Sequence, residues 1–158
     1  MKSIRTISAA ALLLAGLMAF HAGKAHAAST WRLQQEDRRL RTILDEMTRA
    51  AYTKVTQARQ AAGRVSQVGR TSDPNWKSRE SANARDAMFQ YKMAIQAFVN
   101  LRAEAGGYVR WCERVRNLIS TDINGGQSLI RTCNREIQSL QTESNNLRTY
   151  WYRLGLSF

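Results

Sequence analysis

From Ile130 onward the apolar seam advances by steps of three and four without a miss: Ile130, Cys133, Ile137, Leu140, Ser144, Leu147, Trp151 and Leu154. Such alternation keeps one face of an α-helix turned toward a neighbouring helix, and a strand, with its period of two, cannot satisfy it. The preceding segment repeats the pattern with Tyr108, Cys112, Val115 and Ile119. Between the two lies Thr121-Asp122-Ile123-Asn124-Gly125-Gly126, the strongest turn signal in the chain. An antiparallel hairpin of two helices with coiled-coil-like seams follows from these features.

The remainder also reads as helix. One proline, Pro74, interrupts long stretches rich in Ala, Leu, Gln, Arg and Glu. Leu40, Leu44, Met47, Ala51, Val55, Ala58, Ala62 and Val65 mark one face of a long amphipathic helix, expected to start at an N-cap at Ser29 or Thr30 and to fade near Gly69. Pairs such as Arg32 with Glu36 and Asp37 with Arg41 support its exposed side. A hinge at 69–75 ends it, and Asp73-Pro74 reads as the N-cap and first residue of the next helix. That helix carries the stripe Ala84, Met88, Tyr91, Ile95, Phe98 and reaches Gly106-Gly107, which either kinks or ends it. The expected fold is an all-α, elongated antiparallel bundle of three to four helices. Small seam residues (Ala51, Ala58, Ala62, Ser144) suit close helix approach or a second chain completing the bundle, so a homo-oligomer is one expectation.

The first 27 residues differ from the rest. Lys2 and Arg5 precede an apolar run from Ala9 to Phe20, and Ala25-His26-Ala27 closes the segment, the pattern of a secretory signal peptide cleaved after Ala27. The apolar run is a dozen residues, short of the roughly 20 that span a bilayer. Residues 28–158 are then the mature domain, expected in the periplasm or secreted. Both histidines, His21 and His26, leave with the signal. Without imidazole, a His general base, a Ser-His or Cys-His nucleophile and His-containing metal sites are excluded, while carboxylate or lysine chemistry stays formally open.

Loss of Lys2, Arg5 and Lys24 from the 24 cations leaves 21 against 12 acids, a net charge of +9. Such an excess favours anionic surroundings or partners. Nucleic acid is not expected for an exported protein; anionic lipid, lipopolysaccharide or an acidic protein surface is.

Each cysteine stands between two arginines, Arg110-x-Cys112-x-Arg114 and Arg131-x-Cys133-x-Arg135. The midpoint of the cysteines falls inside Thr121–Gly126, so a hairpin turning there places both at one height on the facing seams. An oxidising compartment then predicts a Cys112–Cys133 disulfide. Positions two residues either side of a cysteine point to the opposite helix face, so Arg110, Arg114, Arg131 and Arg135 are the candidate anion or partner contacts. No metal site is expected: the calcium-loop reading from Asp122 meets Gln127 and Cys133 where glycine and glutamate are required. The aromatic tail offers Trp151, Tyr152 and Phe158 for docking onto the bundle, with membrane insertion as the alternative.

No phosphate loop, nucleophile elbow, CxxC or HExxH is present, so no catalysis and no cofactor are expected. In general shape and chemistry the chain is similar to helical subunits of envelope-spanning secretion machines and to small basic periplasmic chaperones. The expected function is a non-catalytic interaction protein, a scaffold or accessory subunit of an envelope complex. A basic module for lipopolysaccharide, lipid or acidic clients and an immunity or inhibitor protein are the alternatives.

Overall fold

Helix formers dominate the chain, and in the computed structural model they fold as three long helices. The structure describes the backbone of residues 5–66 and 74–158 and the side chains of 29–65 and 74–158. Helix α1 spans Arg5–Ser66, α2 Trp76–Val115 and α3 Ile123–Arg153, with no strand among the described residues.

Two of these boundaries differ from the sequence expectation. Helix α1 runs through Ser29 and Thr30, so neither caps its start in the full-length chain. The segment before them, Ala22–Ala28, holds four alanines and no proline, and nothing in it stops a helix. The expected leader therefore forms the first part of α1. At the hinge, residues 67–73 lie outside the described residues, Asp73 among them, and α2 begins at Trp76, two residues after Pro74. At Gly106–Gly107 α2 neither ends nor breaks but passes through both glycines, giving three helices among the described residues.

Antiparallel packing joins α1 to α2 and α2 to α3, with α2 in the centre. Arg64 reaches Asp86 and the Tyr52 ring meets Phe98 edge-on at 5.3 Å, which fixes the first register. Ala51 and Ala58 then lie at about the heights of Phe98 and Tyr91, where a larger side chain would hold the helices apart. The small residues of α1 are thus used inside the chain. On α2 the buried row runs through Ala84, Ala87, Tyr91, Ala94, Phe98, Leu101, Ala105, Tyr108, Cys112 and Val115, with Val109 beside it. Met88 and Ile95, expected at its centre, sit at its edge.

Helix α3 closes the core with Cys133, Leu140, Ser144 and Trp151 buried, while Leu154 is exposed because the helix has ended. Gly155, at φ 73°, makes that ending: Leu156 N–H donates to the Trp151 carbonyl and Gly155 N–H to that of Tyr152. This is a Schellman stop, in which glycine accepts the left-handed backbone that a side chain resists. The chain folds back, Leu156 is buried, and Ser157 N–H donates to Ser81 Oγ on α2.

The turn between α2 and α3 lies earlier than the sequence implied. Asp122 caps α3 by accepting from Gly125 N–H at 2.8 Å, so Gly125 and Gly126 belong to the first turn of α3 and the reversal is made by residues 116–122. A Cβ at Gly125 would collide with the Asp122 carboxylate, and one at Gly126 would lie 2.7 Å from Val109 Cγ2. These glycines serve a cap and a close helix crossing, not the loop.

Candidate functional site

The shifted turn decides the fate of the cysteines. Cross-helix neighbours of α2 and α3 are Met88 with Ser144, Tyr91 with Glu143, Arg102 with Asn134 and Val109 with Gly126, each pair summing to about 235 in residue number. On that register Cys112 lies opposite Ile123, and Cys133 lies between Leu101 and Ala105. The two are displaced by about ten residues, or ~15 Å at 1.5 Å per residue, far beyond the Cα separation a disulfide needs. The expectation of equal heights is corrected accordingly: both residues are fully buried free thiols, and no bridge joins them. Burial pushes the Cys133 thiol up, which withholds the reactive thiolate.

The same register separates the two arginine pairs. Arg110 and Arg114 are exposed near the α2–α3 reversal, while Arg131 and Arg135 are exposed about halfway along α3's first half, level with residues 100–104 of α2. Arg135 makes a local contact at 3.4 Å to Thr132 Oγ1. They form two patches and not one ladder. By the antiparallel pairing of α1 and α2, the reversal end also receives Arg32, Arg38 and Arg39, all exposed, together with exposed Trp31 and Leu118.

Two polar clusters that sequence reasoning did not name lie between helices. In the first, Arg59 of α1 grips Glu143 of α3 with both nitrogens, Nη2 to Oε1 at 2.7 Å and Nε to Oε2 at 3.2 Å. Tyr91 of α2 donates its hydroxyl to the same carboxylate at 3.1 Å. The Arg59 hydrogen bonds hold the Glu143 carboxyl below its usual range, and burial followed by the neighbouring carboxylate pushes Tyr91 up to about 12. A second rung, Tyr52 to Glu136 at 3.4 Å, lies one heptad away on both helices. These two rungs run α1 parallel to α3 and close the gap that their backbones leave.

In the second cluster Tyr108 donates to Asp37 Oδ1 at 2.8 Å and Arg41 Nε meets Oδ2 at 2.9 Å. Burial, then the bond to Asp37, raises the Tyr108 hydroxyl. Asp37–Arg41 was expected as a surface pair; the structure makes it an inter-helix anchor, while Glu36 pairs with Arg39. The signal for both clusters was a tyrosine on a core stripe, because a buried phenol needs a partner for its hydroxyl.

Open grooves of about 420 Å³ and 390 Å³ lie beside these clusters, the first lined by Arg41, Asp45, Tyr108, Asp122 and Leu129, the second by Arg59, Tyr91, Glu143 and Asn146. Arg41, Tyr108, Arg59, Tyr91 and Glu143 are already engaged in these clusters and Asp122 in the α3 cap, so the arrangement binds helices together. Among the described residues there is no group of three or more His, Cys, Asp or Glu side chains suited to a metal, and no helix long and apolar enough to cross a membrane.

At the far end of the bundle Trp151 is buried and Phe158 packs against it, ring centroids 6.1 Å apart, whereas Tyr152 is 76% exposed. Of the three aromatic candidates, Trp151 is in the core, Phe158 rests on it while staying 41% exposed, and Tyr152 faces solvent. Comparison with known protein families, with curated proteins and with solved structures finds no match.

Proposed function

We propose that this protein is a non-catalytic, exported interaction protein, a scaffold or accessory subunit that docks in the cell envelope through arginine-rich helix surfaces. The proposal includes an elongated bundle with a coiled-coil-like C-terminal hairpin and a periplasmic or secreted location after removal of residues 1–27. The observation that carries it is the exposed cationic excess. Asp37, Asp86 and Glu143 are each matched by one arginine (Arg41, Arg64 and Arg59) and Asp122 caps α3, while Arg110, Arg114, Arg131 and Arg135 stay exposed. With 21 cations against 12 acids once residues 1–27 are removed, the unmatched positive charge is left on the surface.

The rival reading is a basic module that holds anionic lipid, lipopolysaccharide or acidic client chains, and the exposed Trp31 and Leu118 beside Arg32 and Arg38 favour it at the reversal end. Affinity capture of the tagged protein from its own periplasm, scored for proteins and lipids at low and physiological salt, separates the two. A small stoichiometric set of envelope proteins that persists in salt supports the scaffold. Many substoichiometric clients or anionic lipids, lost steeply as salt rises, support the anion-binding module.

A further inference from the structure

Gly106 and Gly107 lie deep inside α2, where glycine weakens a helix relative to alanine, and the fold gives no reason for either. A Cβ at Gly107 meets nothing within 4 Å, and one at Gly106 meets only the flexible end of Arg110 at 3.5 Å. Gly125 and Gly126, by contrast, are each required by a neighbour.

Gly107 belongs to an outward row on α2 at steps of four and three: Phe89, Met93, Gln96, Asn100, Ala103, Gly107. Phe89 is 55% exposed and Met93 39%. Gln96 donates to Asn100 at 2.9 Å, so the polar pair is local and uncharged. None of the six bears a charge, on a molecule whose surface is otherwise crowded with arginine.

The row is self-complementary. Reversed about the height of residue 98, its large residues meet its small ones: Phe89 meets Gly107 of the partner subunit, Met93 meets Ala103 of the partner subunit, and Gln96 meets Asn100 of the partner subunit. The geometry points to a second copy of this chain as the occupant, docked antiparallel along α2 about a two-fold axis. A small-residue row opposite exposed Phe and Met permits close helix approach, and the uncharged stripe is where two strongly cationic copies pack with least repulsion. This dimer does not depend on the identity of any envelope partner, and it differs from that binding in its response to salt. Screening weakens repulsion between like-charged copies, so the dimer holds or tightens as salt rises.

Sedimentation and light scattering of the purified protein, at physiological and at raised salt, test it. A dimer is expected at both, and Phe89→Arg, with helicity retained by circular dichroism, weakens it by about tenfold or more. If Phe89→Arg does not fold, the double variant Gln96→Cys/Asn100→Cys reports instead, because antiparallel pairing predicts rapid covalent dimer formation under mild oxidation. A wild-type monomer, a dimer indifferent to Phe89→Arg, or a Gln96→Cys/Asn100→Cys protein that stays monomeric would overturn the proposal.

Discussion

Glu143 concentrates the chemistry that joins the three helices, since Arg59, Tyr91 and Ser139 all bond to its carboxylate. Its pKa is lowered on folding, so the sign of the linkage is fixed: the stabilisation is present above the ordinary value of 4.5 and is lost as pH falls through the lower folded value. Acid titration of the melting temperature should therefore fall below about pH 4.5 in the wild type and fall less in Glu143→Gln. Because the pair is partly exposed, the variant should cost only about 1 kcal/mol at neutral pH. A second residue-scale outcome concerns the thiols. The native protein should resist alkylation, and after denaturation without reductant its intact mass should show two labels; none would mean a bridge and a different α2–α3 register.

At the scale of elements, two glycines define how α3 sits. Gly126→Val forces a side chain into Val109 and Tyr108 and should destabilise by about 1–3 kcal/mol through overpacking at the crossing. Gly155→Ala strains the left-handed stop and should cost about 1 kcal/mol, loosening Leu156 and Phe158 from the bundle. Thermal unfolding of both variants checks the order, Gly126→Val being the more damaging. How legible these elements were depended on range. The helical class and most of the core stripes follow from local periodicity, which the chain carries along its own length, whereas the passage of α2 through Gly106–Gly107 and the edge positions of Met88 and Ile95 do not. The reversal did not, because Asp122-Ile123-Asn124-Gly125-Gly126 combines an N-cap, a turn signal and a close-packing pair in five residues. Only Val109 and Tyr108 on the opposing helix reveal that the glycines are there for contact.

For the whole molecule, the proposed function rests on surface charge. Arg110, Arg114, Arg131 and Arg135 are exposed, so their simultaneous replacement by glutamate should leave the bundle folded, with each substitution changing stability by about 0.5 kcal/mol or less. Capture of envelope partners or anionic lipid should be lost, since the four changes remove eight units of net charge from the surface; capture that survives intact would remove arginine from the proposed mechanism. The candidate contacts were legible as exposed positions because two residues from a core cysteine is the far side of a helix. Their division into two patches was not.

The sequence by itself determined the helical class, the faces that turn inward and the cationic excess, since periodicity and composition are properties of the chain read locally. Tertiary structure decided the register. A shift of the reversal by a few residues separates Cys112 from Cys133 by about ten positions, because in an antiparallel hairpin each residue of displacement in the turn moves the opposing helix by two. It also decided that Arg59, Tyr91 and Glu143 meet, and that the alanines of α1 are spent against α2 while the uncharged outer row of α2 is left open. Such outcomes depend on which residues far apart in the chain come to the same height, and no local pattern encodes that.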